Sequence, residues 1–291
     1  HNLAGVQALT ELGFSRVVLA RELSLAEIRH ICANSRVEIE AFVHGAMCIS
    51  YSGRCLLSSY FTGRDANRGA CAQSCRWRYA LVEQARPGEY YPVAEDERGT
   101  YIMNSKDLCL LPYLDDVLAC GVDSLKIEGR MKSVHYVASV VKAYRTALDV
   151  CLSGAPYSVQ PDWMEELEKV SHRAYTAGFF FGKTTEKDQI YGSSSYEQTS
   201  DFIGLVHSYD DTTKLAVVEQ RNHMRLGQEI EVFQPAGASF RQELTEMWDA
   251  EGQPIAAAPH PQQMVRIRMT QPVDPYSILR RDIPLKKEEP Q

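Results

Sequence analysis

Five cysteines carry most of the chemistry this chain could perform. Cys48 and Cys55 flank a Ser-Gly turn in CISYSGRCLLS, and Cys71, Cys75 and Cys109 follow, in the pattern Cys48-x6-Cys55-x15-Cys71-x3-Cys75. Such thiols can pack, pair as disulfides, act as a nucleophile or ligate a metal. Structural zinc sites pair their ligands in two tight knuckles, and only Cys71 and Cys75 are that close. An iron–sulfur cluster accepts four thiolates from loops of unequal length. Eight cysteines in 291 residues are too sparse for a small disulfide scaffold, and nothing suggests secretion. Spacing therefore ranks iron–sulfur ligation first, with zinc and inert or redox thiols open behind it. Cys32, Cys120 and Cys151 sit in apolar helical patterns and read as packing residues.

A second group is cationic. Residues 41–80 hold Arg54, Arg64, Arg68, Arg76 and Arg78 against Asp65 alone, in a chain of net charge -7. Guanidinium groups bind carboxylates bidentately and also neutralise RNA phosphates, so this excess points to an anionic partner; a solvated charged loop is the bland reading. Trp77 and Tyr79 interleave with Arg76 and Arg78, which suits base stacking as well as anchoring of the loop. A third group lies on strands: Glu40 with His44, and Lys126 with Glu128. If both strand faces point inward, these four converge near the rim where α/β barrels place their chemistry; a Lys-Glu pair that fixes the interior is the alternative. Arg130, just past the second strand, is placed for anion contact. The stretch GFFFGKT lacks the first glycine of a phosphate loop, and no His-Glu-x-x-His pattern supports a zinc protease.

The elements that must position these groups alternate. Leu3, Val6, Leu9 and Leu12 predict a helix, RVVLA (16–20) a buried strand, and Ser24 with Glu27 a capping box opening the next helix. VEIEAFVHG alternates strictly, with Ile39, Ala41 and Val43 on one face. A helix is expected from about Ser105, a strand in VDSLKIEGR, and a long helix with Val134, Val137, Val141, Tyr144, Leu148 and Cys151 on its apolar face. This alternation predicts parallel strands covered by helices, as a small open sheet or, preferred here, the C-terminal part of a TIM-like (β/α) barrel. Short alternating segments in 201–283 predict an appended small antiparallel β-barrel. The expected layout is a partial barrel over 1–155, a linker over 156–200, the β-barrel over 201–283 and a tail over 284–291. No apolar run approaches the ~20 residues of a membrane helix, and no signal peptide is seen, which makes a cytoplasmic location the expectation.

EAFVHGAMCISYSGRCLLS (40–58) resembles the signature of peptidase family U32 at Glu40, Phe42, Gly45, Ala46, Met47, Cys48, Gly53, Cys55, Leu57 and Ser58. GACAQSCRWRY, NSKDLC and LKIEGRMKS resemble the same family. The likeness is greatest to its prephenate-dependent tRNA hydroxylase subgroup. It implies an incomplete TIM-like barrel whose earlier strands would precede His1, a C-terminal β-barrel of translation-factor type, and hydroxylation of the wobble uridine of tRNA to 5-hydroxyuridine. It further implies prephenate, a small dicarboxylate, as co-substrate, and a 4Fe-4S cluster held by Cys48, Cys55, Cys71 and Cys109, with Cys75 as alternative ligand. On this reading Glu40, His44, Lys126 and Glu128 are the catalytic candidates, and Arg54, Arg76, Arg78 and Arg130 the substrate-binding ones. The competing function is the peptidase of the family's name, and a pure binding module is the third.

Overall fold

A capped helix opens the chain: the Asn2 side chain accepts from the Gly5 amide at 3.0 Å at the start of α1 (Leu3–Glu11). The computed structural model describes residues 2–48, 51–52, 54–77, 80–82, 90–92, 105–184 and 197–283. They fall into two units, one drawn from residues 1–131, 144–161 and 172–197, the other from 132–143, 162–171 and 198–291.

In the first unit β1 (Arg16–Val18) is followed by α2 (Leu25–Asn34). Ser24 and Glu27 form the predicted capping box, each side chain bonded to the other's backbone amide. β2 (Glu38–Ala46) runs parallel to β1, and Ile39, Ala41 and Val43 are buried on its inner face as the alternation requires. α3 (Leu57–Thr62) comes next, and β3 (Ala80–Val82) and β4 (Tyr90–Pro92) pair antiparallel. β5 (Asp107–Cys109), α4 (Leu114–Ala119), β6 (Ser124–Ile127), α5 (Val134–Leu152), α6 (Pro161–Glu168) and β7 (Tyr175–Thr176) follow, of which the start of α5 up to Ala143 and α6 from Asp162 onward belong to the second unit. β6 joins β2 in parallel, so β1, β2 and β6 form the parallel set.

The structure corrects three expectations. The segment from Ser105 begins as a strand, not a helix, because Arg173 and the edge of β2 hold it extended; the helix starts only after Pro112. The sheet is mixed: β5 runs antiparallel to β2 and parallel to β7. The buried face of α5 is carried by Tyr136, Val140, Ala143, Tyr144 and Ala147, while Val134, Val137 and Val141 are exposed. The expected stripe holds at Tyr144 and fails at its three valines, since apolarity alone does not separate them from Val140 and from the small and aromatic side chains that are buried.

The second unit contains β8 (Ser200–Asp210), β9 (Leu215–Gln220), β10 (Met224–Arg225), β11 (Glu229–Phe233), β12 (Phe240–Glu243), β13 (Met247–Trp248), β14 (Ala257–Ala258), β15 (Met264–Arg268) and β16 (Ile278–Asp282). Seven of them form an antiparallel sheet in the order β12-β11-β16-β8-β9-β15-β13, curled into a half-barrel around Ile203, Val218, Ile230, Leu244 and Ile267. The expected strands are antiparallel, but the sheet closes halfway. β16 has no counterpart in the sequence reading, although it lies between β11 and β8. Its Arg280 is fully buried, and Glu231 and Glu166 both accept from it, so charge hid a core strand.

Candidate active site

The parallel strands of the first unit end at one rim, the side where open α/β sheets place their ligands. β1 leads into Arg21 and Glu22, β2 into Met47 and Cys48, and β6 into Glu128 and Arg130. Gly45 lets two of these ends meet. Its φ is +114°, and a Cβ there would stand 2.4 Å from the Glu128 carbonyl oxygen, so only glycine brings β2 this close.

Arg21 closes the interior beneath the rim. Its guanidinium lies 3.8 Å from the centre of the Phe42 ring, and Nη2 is 3.5 Å from Glu128 Oε2. Burial draws it below the ordinary guanidinium value, against the opposing charge of Glu128. The cavity below it measures about 20 Å³, room for one water at most, so a substrate cannot enter the core there. Glu22 accepts from the backbone amide of Ser52 at 2.6 Å and from its hydroxyl at 3.1 Å, which ties the loop between Cys48 and Cys55 to the end of β1. Neither residue was singled out in the sequence, although a charged pair directly after the RVVLA run was the available sign; that run is buried only at Val17 and Leu19, with Val18 exposed, and so is not the wholly buried strand expected.

The four strand residues expected to converge are divided among three places. Glu40 pairs with Lys126 at 2.7 Å and also accepts from Ser124 and Arg16. The Lys126 hydrogen bond outweighs partial burial and holds Glu40 below the usual carboxylate range. With its lone pairs so engaged, Glu40 is a poor proton acceptor, and the Lys126 end of the pair is 40% exposed, so it is not the buried interior pair named above as the alternative. His44 lies elsewhere, fully buried, with its ring edge-on to Tyr144 and tilted against Tyr175. Glu128 faces Arg21 and accepts from the Arg130 amide at 3.0 Å.

Two of the cysteines, Cys48 and Cys109, lie at this end of β2. Cys109 on β5 is the register partner of His44, and burial pushes its thiol up to about 11. The Tyr144 hydroxyl donates to the Val43 carbonyl at 2.7 Å and lies 3.9 Å from Cys109 Sγ. Cys48 is exposed just past β2, while Cys55, Cys71 and Cys75 are half-buried on the segment that carries α3. That segment is pinned by the Ser58 hydroxyl, which accepts from the Ala72 amide at 2.9 Å. By chemistry the donors suit an iron–sulfur cluster: thiols alone, four on one segment and one on an adjoining strand. Among the described residues no three Cys, His, Asp or Glu side chains already stand in ligating positions.

Of the arginines, Arg54 is exposed and Arg130 reaches across to the cysteine segment, its Nη1 lying 2.7 Å from where a Cβ on Gly69 would stand. Arg78 and the side chain of Arg76 lie outside the described residues.

Comparison with known proteins adds the following. A model described as Peptidase family U32 matches residues 1–190, and one described as Peptidase family U32 C-terminal domain matches residues 198–280. The chain is 42% identical to the Bacillus subtilis protein named tRNA hydroxylation protein P1, over 96% of this chain and 66% of that protein. It is 37% identical to tRNA hydroxylation protein P of Escherichia coli, over 89% of this chain and 65% of that one. An Escherichia coli 23S rRNA 5-hydroxycytidine synthase is 36% identical over 65% of this chain and 26% of its own length. The chain thus spans just under two thirds of the first two relatives.

Proposed function

The chain belongs to peptidase family U32, and from that premise we propose that it acts in RNA hydroxylation, converting the wobble uridine of tRNA to 5-hydroxyuridine. One observation carries the reading: two relatives named for tRNA hydroxylation align with nearly the whole chain. The relative named for hydroxylating ribosomal RNA supports the broader class.

The rim is consistent with that chemistry. An iron–sulfur cluster, when bound, would supply the electron transfer that no side chain offers, with Cys48, Cys55, Cys71 and Cys109 as ligands and Cys75 as the alternative. Arg21 and Arg130 border this region, and a small dicarboxylate such as prephenate needs such forks. Phe42 holds the Arg21 guanidinium in place, so little side-chain freedom is lost when it meets a carboxylate. Glu128 orients Arg130 through its backbone amide. We further read β1, β2 and β6 as consecutive strands of a TIM-like barrel completed in the longer relatives, and the location as cytoplasmic.

The peptidase reading is weaker on this geometry. A cysteine protease needs a thiolate lowered by an adjacent imidazole. His44 is buried between tyrosines, and the thiol in register with it is raised rather than lowered. The test is mass spectrometry of tRNA nucleosides from a strain lacking the gene. Loss of 5-hydroxyuridine derivatives is the expected result; unchanged tRNA together with peptide cleavage by the purified protein would replace this reading with the peptidase.

A further inference from the structure

Three aromatic side chains on the cysteine-bearing segment face outward. Tyr60 and Phe61 end α3 and Trp77 follows a 3-10 turn, and they are 83%, 46% and 44% exposed. They form one row: the Tyr60 and Phe61 rings are 5.1 Å apart at 77°, and the Phe61 and Trp77 rings 6.2 Å apart at 46°. Their support is built. Ser58, 1% exposed, accepts from the Ala72 amide, Thr62 Oγ1 donates to the Ser58 carbonyl at 2.7 Å, and Gly63 closes the helix in the left-handed conformation. A soluble surface that holds three large rings outward on a fixed frame marks a contact site.

The charge around the row selects the occupant. Residues 51–77 hold Arg54, Arg64, Arg68 and Arg76 against Asp65, in a chain of net charge -7. The Arg54, Arg64 and Arg68 side chains lie on exposed residues, and Arg68 meets Asp65 at 3.5 Å while remaining 87% exposed. Apolar rings beside surplus guanidinium groups suit unpaired nucleotides, whose bases stack and whose phosphates are anionic; an apolar protein face would leave those cations uncompensated. We propose that Tyr60, Phe61 and Trp77 form a stacking platform for unpaired RNA bases, with Arg54, Arg64 and Arg68 meeting the adjoining phosphates. This deepens the hydroxylase reading and rests on its RNA substrate.

The test titrates the 291-residue chain with a fluorescent single-stranded RNA heptanucleotide and with the same sequence as duplex. Anisotropy reports binding, and emission in a Trp163→Phe, Trp248→Phe background reports Trp77 alone. The single strand should bind at least tenfold more tightly than the duplex and quench Trp77. Tyr60→Ala with Phe61→Ala should weaken binding at least tenfold with unchanged circular dichroism. If the tryptophan background does not fold, anisotropy of the parent and the double variant decides. Equal binding by parent and double variant overturns the platform. So does a concentration-dependent dimer that shields Trp77 and is lost in the double variant, since the face would then belong to a second copy. Loss of the platform with tRNA hydroxylation intact moves RNA entry elsewhere, whereas stacking with unchanged tRNA nucleosides removes the hydroxylase reading and leaves the platform.

Discussion

His44 and Cys109 face one another across the antiparallel pairing of β2 with β5, and the Tyr144 hydroxyl lies 3.4 Å from the imidazole Nδ1 and 3.9 Å from the sulfur. Cys109 is therefore enclosed, whereas Cys48, two residues past the end of β2, is open to solvent. In protein prepared without iron, iodoacetamide should label Cys48 at least roughly tenfold faster than Cys109, as read from peptide masses over time. Equal rates would mean that β5 does not hold Cys109 inside.

Asp107 opens β5, and Arg173 grips it with its backbone amide at 3.1 Å and its guanidinium, both side chains 1% exposed. Asp107→Asn leaves a buried cation without its anion and should cost about 3–5 kcal/mol in urea unfolding. Replacing both residues by apolar ones of similar volume should recover much of that loss. A single-variant cost below about 1 kcal/mol would show that water reaches the pair.

Gly45→Ala tests the meeting of β2 and β6. The added Cβ cannot coexist with the Glu128 carbonyl, and the backbone angle is unfavourable for alanine. We expect a loss of about 2 kcal/mol or more, again by urea unfolding. A neutral effect would mean that the two strand ends are further apart.

Stability should also fall on acidification through His135. Burial, aided by the charge of Arg280, lowers it to about 4, with Glu166, Glu231 and Lys169 also facing it. The unfolded value is about 6.5, so on acidification the unfolded chain takes the proton first. The contribution is present above pH ~6.5 and is lost as the pH falls toward ~4, amounting to about 2 kcal/mol by pH 5. Glu231 acts at lower pH. Burial would raise it, but the hydrogen bonds and charge of Arg280 win and hold it at about 2, so its share is lost below pH ~4.5. His135→Phe should flatten the slope between pH 6.5 and 5; an unchanged slope would assign it to another group.

Local rules were legible in the chain. The capping box of Ser24 and Glu27 and the inner face of β2 follow from side-chain chemistry within a few residues, and both are present. What escaped depends on distant partners. Asp107–Cys109 is extended because Arg173 and β2 hold it there, and Leu108 alone carries no sign of that. β16 was obscured by Arg280, whose burial makes sense only with Glu166 and Glu231. Arg21 was overlooked for a similar reason: its stacking on Phe42 and contact with Glu128 join three strand ends. Glu40 and Lys126 were placed on strands correctly, yet the sequence could not say that they would engage each other instead of joining His44.

The most direct test is tRNA nucleoside mass spectrometry in a strain lacking the gene, complemented with the parent sequence or with Cys48, Cys55, Cys71, Cys75 or Cys109 changed singly to Ser. The account predicts that the parent restores 5-hydroxyuridine derivatives, that Cys48, Cys55, Cys71 and Cys109 variants do not, and that the Cys75 variant does. Restoration by all five variants, or no change in these nucleosides on deletion, would contradict it.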